Sequence, residues 1–196
     1  MPSVIKNHFV IDDRSSKSYV SSFGSVWNLV TDDVMGGISF GELSLEKLNG
    51  VDCIKMSGNV SKENNGGFVQ MSLNLMQIVP FDASHYDGIE LKIYGNNEIY
   101  NLHIKTVDLF RPWQSYRSTF QTKSEWQDTR ISFSELEPHR TGVPFRKDKI
   151  KRIALAAIGR EFDVELYLAS IKFYSNSWTL NFKLSFCFVS YADKVN

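Results

Sequence analysis

The residues best suited to chemistry or tight binding lie in one stretch between Trp27 and Ser39. Two adjacent aspartates and two adjacent glycines occur there, just before a predicted strand. Glycine tolerates positive φ and close backbone approach, and aspartate accepts hydrogen bonds from exposed N–H groups. One interpretation is a structural turn at Gly36 and Gly37. The other is a ligand or cation site at the rim of the fold, formed by Asp33, Ser39 and free backbone amides.

A second glycine-rich cluster, residues 58–68, joins two predicted strands. Asn64, Gly66 and Gly67 are residue types that adopt left-handed backbone geometry readily, as a hairpin loop requires. No Gly-Lys-Ser/Thr sequence and no helical pattern follows, which argues against a phosphate-binding loop or a dinucleotide fingerprint. We therefore predict a structural turn at the two glycines, with Asn64 as a candidate contact for a ligand or partner.

Polar side chains at alternate positions of two predicted strands form another candidate region. They are Asn101, His103 and Lys105 on one strand and Arg117, Thr119 and Gln121 on the next. Alternate residues of a strand point to the same side, so the two sets share one face if the strands are neighbours. That face is either a platform for a polar ligand or an ordinary solvated sheet face.

Aromatic residues near this region suggest two kinds of partner. Trp113 and Tyr100 are suited to stacking on a sugar ring, since aromatic rings beside polar groups bind amphipathic ligands. Together with Arg111 and Arg117, an exposed Trp113 would also suit the centre of a protein interface. A third possibility is that Trp113 plugs one end of the fold.

The sequence gives no support for a catalytic triad or a transition-metal site. The four histidines are isolated from one another, and no Cys-x-x-Cys occurs. Residues 37–41 have Gly-x-Ser-x-Gly spacing, but they lead into a predicted strand and not into a helix, so they do not form a nucleophile elbow. Acidic residues at i,i+2 spacing are interpreted as the solvent-facing side of exposed strands. We predict a non-enzymatic protein with no catalytic residues, no metal and no cofactor.

Period-two alternation of apolar residues predicts the elements that position these candidates. Nine or ten strands follow one another at short spacing, broken by Gly, Asn and Asp turns, without a helical period. The predicted fold is all-β, a single jelly-roll β-sandwich with little helix, and a change of apolar parity predicts a bulge at Ala169–Ser170. Residues 9–174 form the predicted domain, 1–8 an N-terminal extension and 175–196 a C-terminal tail that could add an edge strand.

Composition narrows the class of partner. Lys plus Arg and Asp plus Glu both number 22, so no net field attracts nucleic acid, and no apolar run is long enough to span a membrane. The two cysteines are predicted to be free thiols. Basic residues and serines near the N-terminus are interrupted by Asp12 and Asp13, which predicts a poor transit peptide.

The two glycine clusters, in this order, resemble the complex I intermediate-associated protein 30 family. The matching residues are Trp27, Asp33, Gly36, Gly37, Ser39, Gly58, Asn64, Gly66, Gly67 and Phe68. Similar later landmarks are Gly88–Leu91, Tyr94–Gly95, Tyr116, Phe120, Trp126, Phe133 and Arg140–Gly142, so the likeness spans roughly Phe9 to Tyr174.

This resemblance implies a galactose-binding-like jelly roll, the fold of carbohydrate-binding modules. It also implies a chaperone-like role in assembling mitochondrial complex I through a protein partner. The alternative is a carbohydrate-binding-module-like domain that recognises a glycan or small polar ligand. A mitochondrial location follows from the resemblance, and a cytoplasmic one is the alternative because no clear presequence is visible.

Overall fold

The computed structural model describes residues 7–176, which form two antiparallel sheets facing each other as a β-sandwich. The strands are β1 (His8–Asp12), β2 (Trp27–Thr31), β3 (Phe40–Leu48), β4 (Val51–Val60), β5 (Phe68–Asn74), β6 (Gly88–Gly95), β7 (Ile99–Thr106), β8 (Ser115–Gln121), β9 (Gln127–Ser132), β10 (Glu137–His139), β11 (Ile150–Ile158) and β12 (Phe162–Tyr174). Helix is confined in this range to four short 3-10 turns. The predicted jelly-roll class and low helix content are confirmed.

The first sheet has the order β3-β4-β12-β6-β9, with β1 also paired to β12. The second sheet has the order β10-β8-β7-β11-β5-β2. Since β2 lies at the edge of the second sheet and β3 at the edge of the first, the connection between them crosses the rim of the sandwich. The first glycine cluster forms that crossing.

Alternation predicted many of the strands because one face of such a strand is more deeply buried than the other. The bounds of β4 and β12 match the predicted ranges, and β12 changes register against β6 between Leu168 and Ser170. The bulge expected at Ala169–Ser170 is therefore confirmed. Strand β11, apolar on both sides, lies between β5 and β7 inside the second sheet.

The inward faces of both sheets form one continuous core. Met56, Leu91, Leu102, Leu155 and Leu168 belong to it and are fully buried. Burial of this apolar surface is the main stabilising contribution to the fold. It holds the outward residues of the same strands at set positions, because a slip of one residue would turn every core side chain outward.

A buried ion pair anchors the N-terminal part of the domain. Asp12 and Arg14 are almost fully buried and form a salt bridge, and the indole Nε1 of Trp27 donates to Asp12 Oδ2 at 2.7 Å. Charges are rarely buried unless paired, so this contact ties the start of the chain to β2. Trp27, one of the landmark residues of the resemblance, is thus a structural residue.

Three strands were not predicted from the sequence: β1, β2 and the short β10. The segment 137–143 was interpreted as a loop, yet Glu137–His139 pairs with β8. These strands have five residues or fewer, which is too few for alternation to be recognised. They form because a neighbouring strand is available to pair with, and that neighbour is known only from the tertiary structure.

Some expectations fall wholly or partly outside the described residues. Most of the tail from 175 to 196, including Cys187, lies there, and so does most of the N-terminal extension. Cys53 is a buried free thiol, and burial raises its pKa. Within residues 7–176, no helix has the length and apolar character needed to cross a bilayer.

Candidate functional site

The two glycine clusters meet around one buried carboxylate, that of Asp32. Its oxygens accept hydrogen bonds from Ser39 N at 2.9 Å, from Phe68 N at 3.2 Å, and from Gly67 N and Ser39 Oγ. Asp32 is 0% exposed. Asp32 belongs to the connection between β2 and β3. By accepting hydrogen bonds from Gly67 and Phe68, it holds the loop before β5 in place.

The glycines in both clusters meet two different requirements. A Cβ on Gly37 would lie 2.3 Å from Asp32 Cγ, and one on Gly66 would lie 2.4 Å from Asp32 Oδ2, so neither position has room for a side chain. Gly36 and Gly67 instead have positive φ values of 85° and 131°. The predicted structural turns are therefore present, and their role is to let two loops approach Asp32.

Hydrogen bonding decides the charge state of Asp32. Burial alone would raise the pKa of this carboxyl, but the bonds from Ser39, Gly67 and Phe68 outweigh burial and lower the pKa below its usual value. The carboxylate therefore stays ionised at neutral pH. With four donors already bound, it acts as a structural anion inside the rim.

The sequence hypothesis placed Asp33 beside Ser39, and the structure corrects that pairing. Asp33 is exposed and accepts from Thr31 Oγ1 at 2.7 Å and from Val34 N at 2.8 Å. Ser39 is buried on Asp32, and the amides expected to be free for a ligand are used by Asp32 as well. Adjacent aspartates look equivalent in a sequence, and only the fold shows which one points inward.

Asn64 lies in the loop of the second cluster. It is exposed and adopts the left-handed φ of 55° expected for its residue type. Its side chain is not among the groups that bind Asp32, so its role as a contact for a ligand or partner stays a prediction.

An exposed apolar patch on this rim was not found by sequence reasoning. Val34, Met35, Ile38 and Phe40 are 70%, 63%, 52% and 65% exposed. In the chain they follow the buried Asp32 and flank the buried Ser39, so the buried bonds hold the backbone while the apolar side chains are exposed. The available signal was the number of large apolar residues in a turn, where polar residues are usual. We refer to these four residues as the rim patch.

The polar residues on the second sheet share one face, as expected from the sequence if their two strands were neighbours, and we refer to this face as the platform. Strands β7 and β8 are neighbours, with His103 opposite Arg117 and Asn101 opposite Thr119. The alternate residues Leu102 and Ile104 are buried in the core, which puts the polar set on the outer face. A depression of about 360 Å³ lies on this face, lined by Asn101, Arg117, Ser118, Thr119, Glu135, Glu137, Pro138 and His139.

The basic groups of the platform are desolvated. Burial lowers the pKa of His103 to about 3, aided by the positive charges of Arg117, His139 and Lys105. Burial and the neighbouring charges of Arg152, Arg117 and Lys151 lower the pKa of Lys105 to about 8. At neutral pH His103 is therefore neutral and Lys105 remains mostly protonated.

The aromatic candidates separate into one exposed and one buried residue. Tyr100 is fully buried in the core, with its hydroxyl bonded to Asn96 Oδ1 at 2.9 Å, so the idea that it stacks on a sugar is wrong. Trp113 is 50% exposed, and the Arg111 guanidinium lies 5.8 Å from its ring centroid. Trp113 belongs to the loop whose Pro112 carbonyl accepts from Lys105, so it borders the platform.

Metal chemistry finds no support in the described range. Among residues 7–176, no three His, Cys, Asp or Glu side chains come together in a way that could hold a metal ion. The two regions that gather the candidate residues are the rim around Asp32 and the platform around Arg117.

Solved structures with a similar fold are carbohydrate-binding modules and a larger enzyme. The family 11 carbohydrate-binding module from Clostridium thermocellum, solved in complex with a β-1,3-1,4-mixed-linked tetrasaccharide, is 13% identical with a TM-score of 0.67, covering 86% of this chain and 95% of that one. The family 30 module of the cellulosomal cellulase Cel9D-Cel44B of the same organism is 14% identical with a TM-score of 0.52, covering 71% and 92%. An exo-β-agarase is 10% identical with a TM-score of 0.58, covering 86% and 25%.

At these identities the likeness is one of fold, and it confirms the galactose-binding-like jelly roll. No curated protein matches the chain in sequence at a significant level. The sequence model of one family, complex I intermediate-associated protein 30, matches residues 15–169, a range that contains both glycine clusters, Asp32 and the whole platform. The chain therefore belongs to the complex I intermediate-associated protein 30 family.

Proposed function

We propose that this protein is a non-enzymatic assembly factor that binds a protein partner during the assembly of respiratory complex I. The observation that carries the proposal is the family match over residues 15–169, since the family is named for an intermediate of that complex. A mitochondrial location is part of the proposal, and cell fractionation tests it directly.

The rim patch supports binding to a protein. Soluble proteins rarely expose neighbouring large apolar side chains unless these meet a partner. Val34, Met35, Ile38 and Phe40 lie within seven consecutive residues, on a backbone held by the buried Asp32. A backbone already held in place loses little conformational entropy on binding, which favours affinity.

The test compares partners recovered with the wild-type protein and with a double variant of the rim patch, Met35→Ser with Phe40→Ser. Tagged forms are expressed in the native organism, and complex I subunits in the purified material are quantified by mass spectrometry. We expect wild type to recover them and the double variant to lose most of that recovery, because the apolar contact surface is removed.

The matched control is Ile78→Ser with Val79→Ser, two residues 95% and 68% exposed in another loop. It should recover the same subunits as wild type. Absence of complex I subunits from the wild-type material would contradict the assembly role. Equal recovery with the rim variant would contradict the proposed contact surface.

A glycan or small polar ligand is the second candidate, favoured by the depression on the platform and by the carbohydrate-binding-module fold. The expected result for this candidate is a rise in melting temperature with a defined glycan, lost in Trp113→Ala. The burial of Tyr100 removes one of its two stacking residues. A melting temperature unchanged across a panel of neutral β-glucans would count against this function.

A further inference from the structure

Six basic side chains gather on the outer face of the second sheet. Three pairings of the strands set their positions: His103 lies opposite Arg117, Arg152 opposite Lys105, and His139 opposite Ser115 beside Arg117. The sixth, Arg140, adjoins His139 in sequence and adds its charge to those acting on Arg117 and His139. We refer to these six residues as the basic cluster.

Among residues 7–176 the cluster forms no ion pair, although Glu137 lies opposite Arg117 in the strand register. None of its six members forms a salt bridge there, although nine other basic residues do. Arg117 Nε donates only to the neutral Ser115 Oγ, at 2.8 Å. Nε2 of His103, a residue 7% exposed, is buried without a hydrogen-bond partner. One buried nitrogen of this face therefore lacks a hydrogen bond, and the positive charges of the cluster are not paired with a carboxylate within the described part of the chain.

Such an arrangement is costly in a folded protein. Burying a cation or a polar atom without a partner raises the free energy of the folded state, and neighbouring like charges add to that cost. Glu135 and Glu137 lie near this face, but neither approaches a member of the basic cluster closely enough to form an ion pair. Basic groups without an ion-pair partner in a depression, as Arg117 is here, are typical of a binding site, because a bound anion would supply the missing interaction.

The depression itself restricts the ligand. Two members of the basic cluster, Arg117 and His139, line it together with neutral hydrogen-bonding groups of Asn101 and Thr119. Carboxylates of Glu135 and Glu137 are also in the lining. A ligand that fits has its negative charge on the arginine side and hydrogen-bond donors, such as hydroxyl groups, for the carboxylates.

We propose that this depression binds a small sugar that carries an oxyanion, either a phosphate ester or a carboxylate. Arg117 and His139 contact the oxyanion, and Asn101, Thr119 and Glu137 bind hydroxyl groups. The planar guanidinium of Arg117 matches two oxygens of either anion at once. A volume of about 360 Å³ suits a monosaccharide, and the lining holds no Phe, Tyr or Trp ring. This site is separate from the rim patch and does not depend on the partner proposed there.

The experiment uses the isolated 196-residue chain and four probes: glucose 6-phosphate, glucuronate, glucose and inorganic phosphate. Isothermal titration calorimetry at low ionic strength gives each dissociation constant. We expect at least one of the two anionic sugars to bind about tenfold or more tightly than glucose and than inorganic phosphate. The one that binds better identifies the phosphate or the carboxylate as the natural oxyanion.

The variants are Arg117→Gln, His139→Gln and a control, Arg130→Gln, whose arginine lies on the other sheet. Arg117→Gln is expected to weaken binding of the anionic sugar about tenfold or more, and Arg130→Gln to leave it unchanged. His139→Gln provides an independent second test should Arg117→Gln fail to fold. Equal binding of glucose, equal binding of inorganic phosphate, or full affinity in a folded Arg117→Gln would each overturn the proposal.

Discussion

Asp32 and His103 are both buried polar side chains near the surface of one sandwich, and they differ in what surrounds them. Asp32 accepts four hydrogen bonds from Ser39, Gly67 and Phe68. His103 Nε2 has no partner in the described part of the chain and faces other basic groups. The first environment stabilises the charged form of its residue, and the second penalises it.

This difference distinguishes a polar group with a structural role from one that could bind a ligand. A saturated polar group has no bonding capacity left for a ligand, however deeply a family motif depends on it. An unsaturated one retains that capacity at a cost in stability. We therefore interpret the glycine clusters around Asp32 as the support of an apolar docking surface, and the platform as the region with unused polar contacts.

Removing the carboxylate of Asp32 should produce the largest effect on stability. Asp32→Ala leaves buried donors without an acceptor, and we expect a loss on the order of 4 kcal/mol in the free energy of unfolding. Urea denaturation measures this loss. Asp33→Ala is the matched control and should change stability by less than about 0.5 kcal/mol, because Asp33 is exposed. Similar losses in both variants would show that the structural role is wrongly assigned to Asp32.

A side chain at Gly66 should have the next largest effect. Its Cβ would lie 2.4 Å from the Oδ2 atom of Asp32, which is buried and cannot move aside without losing its bonds. We expect Gly66→Ala to cost about 2 to 3 kcal/mol in the same denaturation experiment.

Gly142→Ala serves as the comparison for Gly66, because nothing lies within 4 Å of a Cβ at that position. It should be close to neutral. A Gly66→Ala protein as stable as wild type would mean that the two loops do not approach Asp32 as closely as described.

The pH dependence of stability should show the smallest effect and should come from the platform. The pKa of His103 is about 3 in the folded protein, against an ordinary value of 6.5. The unfolded chain therefore binds a proton that the folded chain does not between these values, so stability falls as pH drops from 6.5 towards 3. At pH 5 this contribution is a loss of about 2 kcal/mol.

His103→Gln should remove this part of the acid sensitivity. We expect the difference in unfolding free energy between pH 7 and pH 5 to shrink in the variant, measured by urea denaturation at both values. His85→Gln, at an exposed histidine, should keep the wild-type difference. If His103→Gln also keeps it, the histidine is not buried in the neutral form.

Local patterns in the sequence predicted a large part of the fold. The alternation in residues 51–60 and 162–174 predicted β4 and β12, and the parity change predicted the bulge. In a half-buried strand every second residue is apolar, so the sequence shows which face points to the core. The polar face of His103 and Arg117 was predicted for the same reason. Strands β1, β2 and β10 are too short for this alternation to be recognised in the sequence.

The candidate site was predicted less completely, because contacts between distant segments decide which of its side chains are buried and which are exposed. Which of Asp32 and Asp33 is buried follows from the approach of the loop at Gly66 and Gly67, more than thirty residues away. The exposure of Val34 and Phe40 is likewise visible only in the tertiary structure. No local rule separates an outward apolar residue in a turn from an inward one.

The sequence by itself determined the sandwich class, the two glycine turns and the family, because alternation, glycine and motif order are properties of neighbouring residues. Only the tertiary structure decided which polar groups are satisfied. Hydrogen bonds to Asp32 and the unpaired charges around Arg117 arise where separate strands and loops meet. Whether a buried polar group has its hydrogen-bond partners depends on the whole fold. This difference separates the structural carboxylate of Asp32 from the candidate binding groups of the platform.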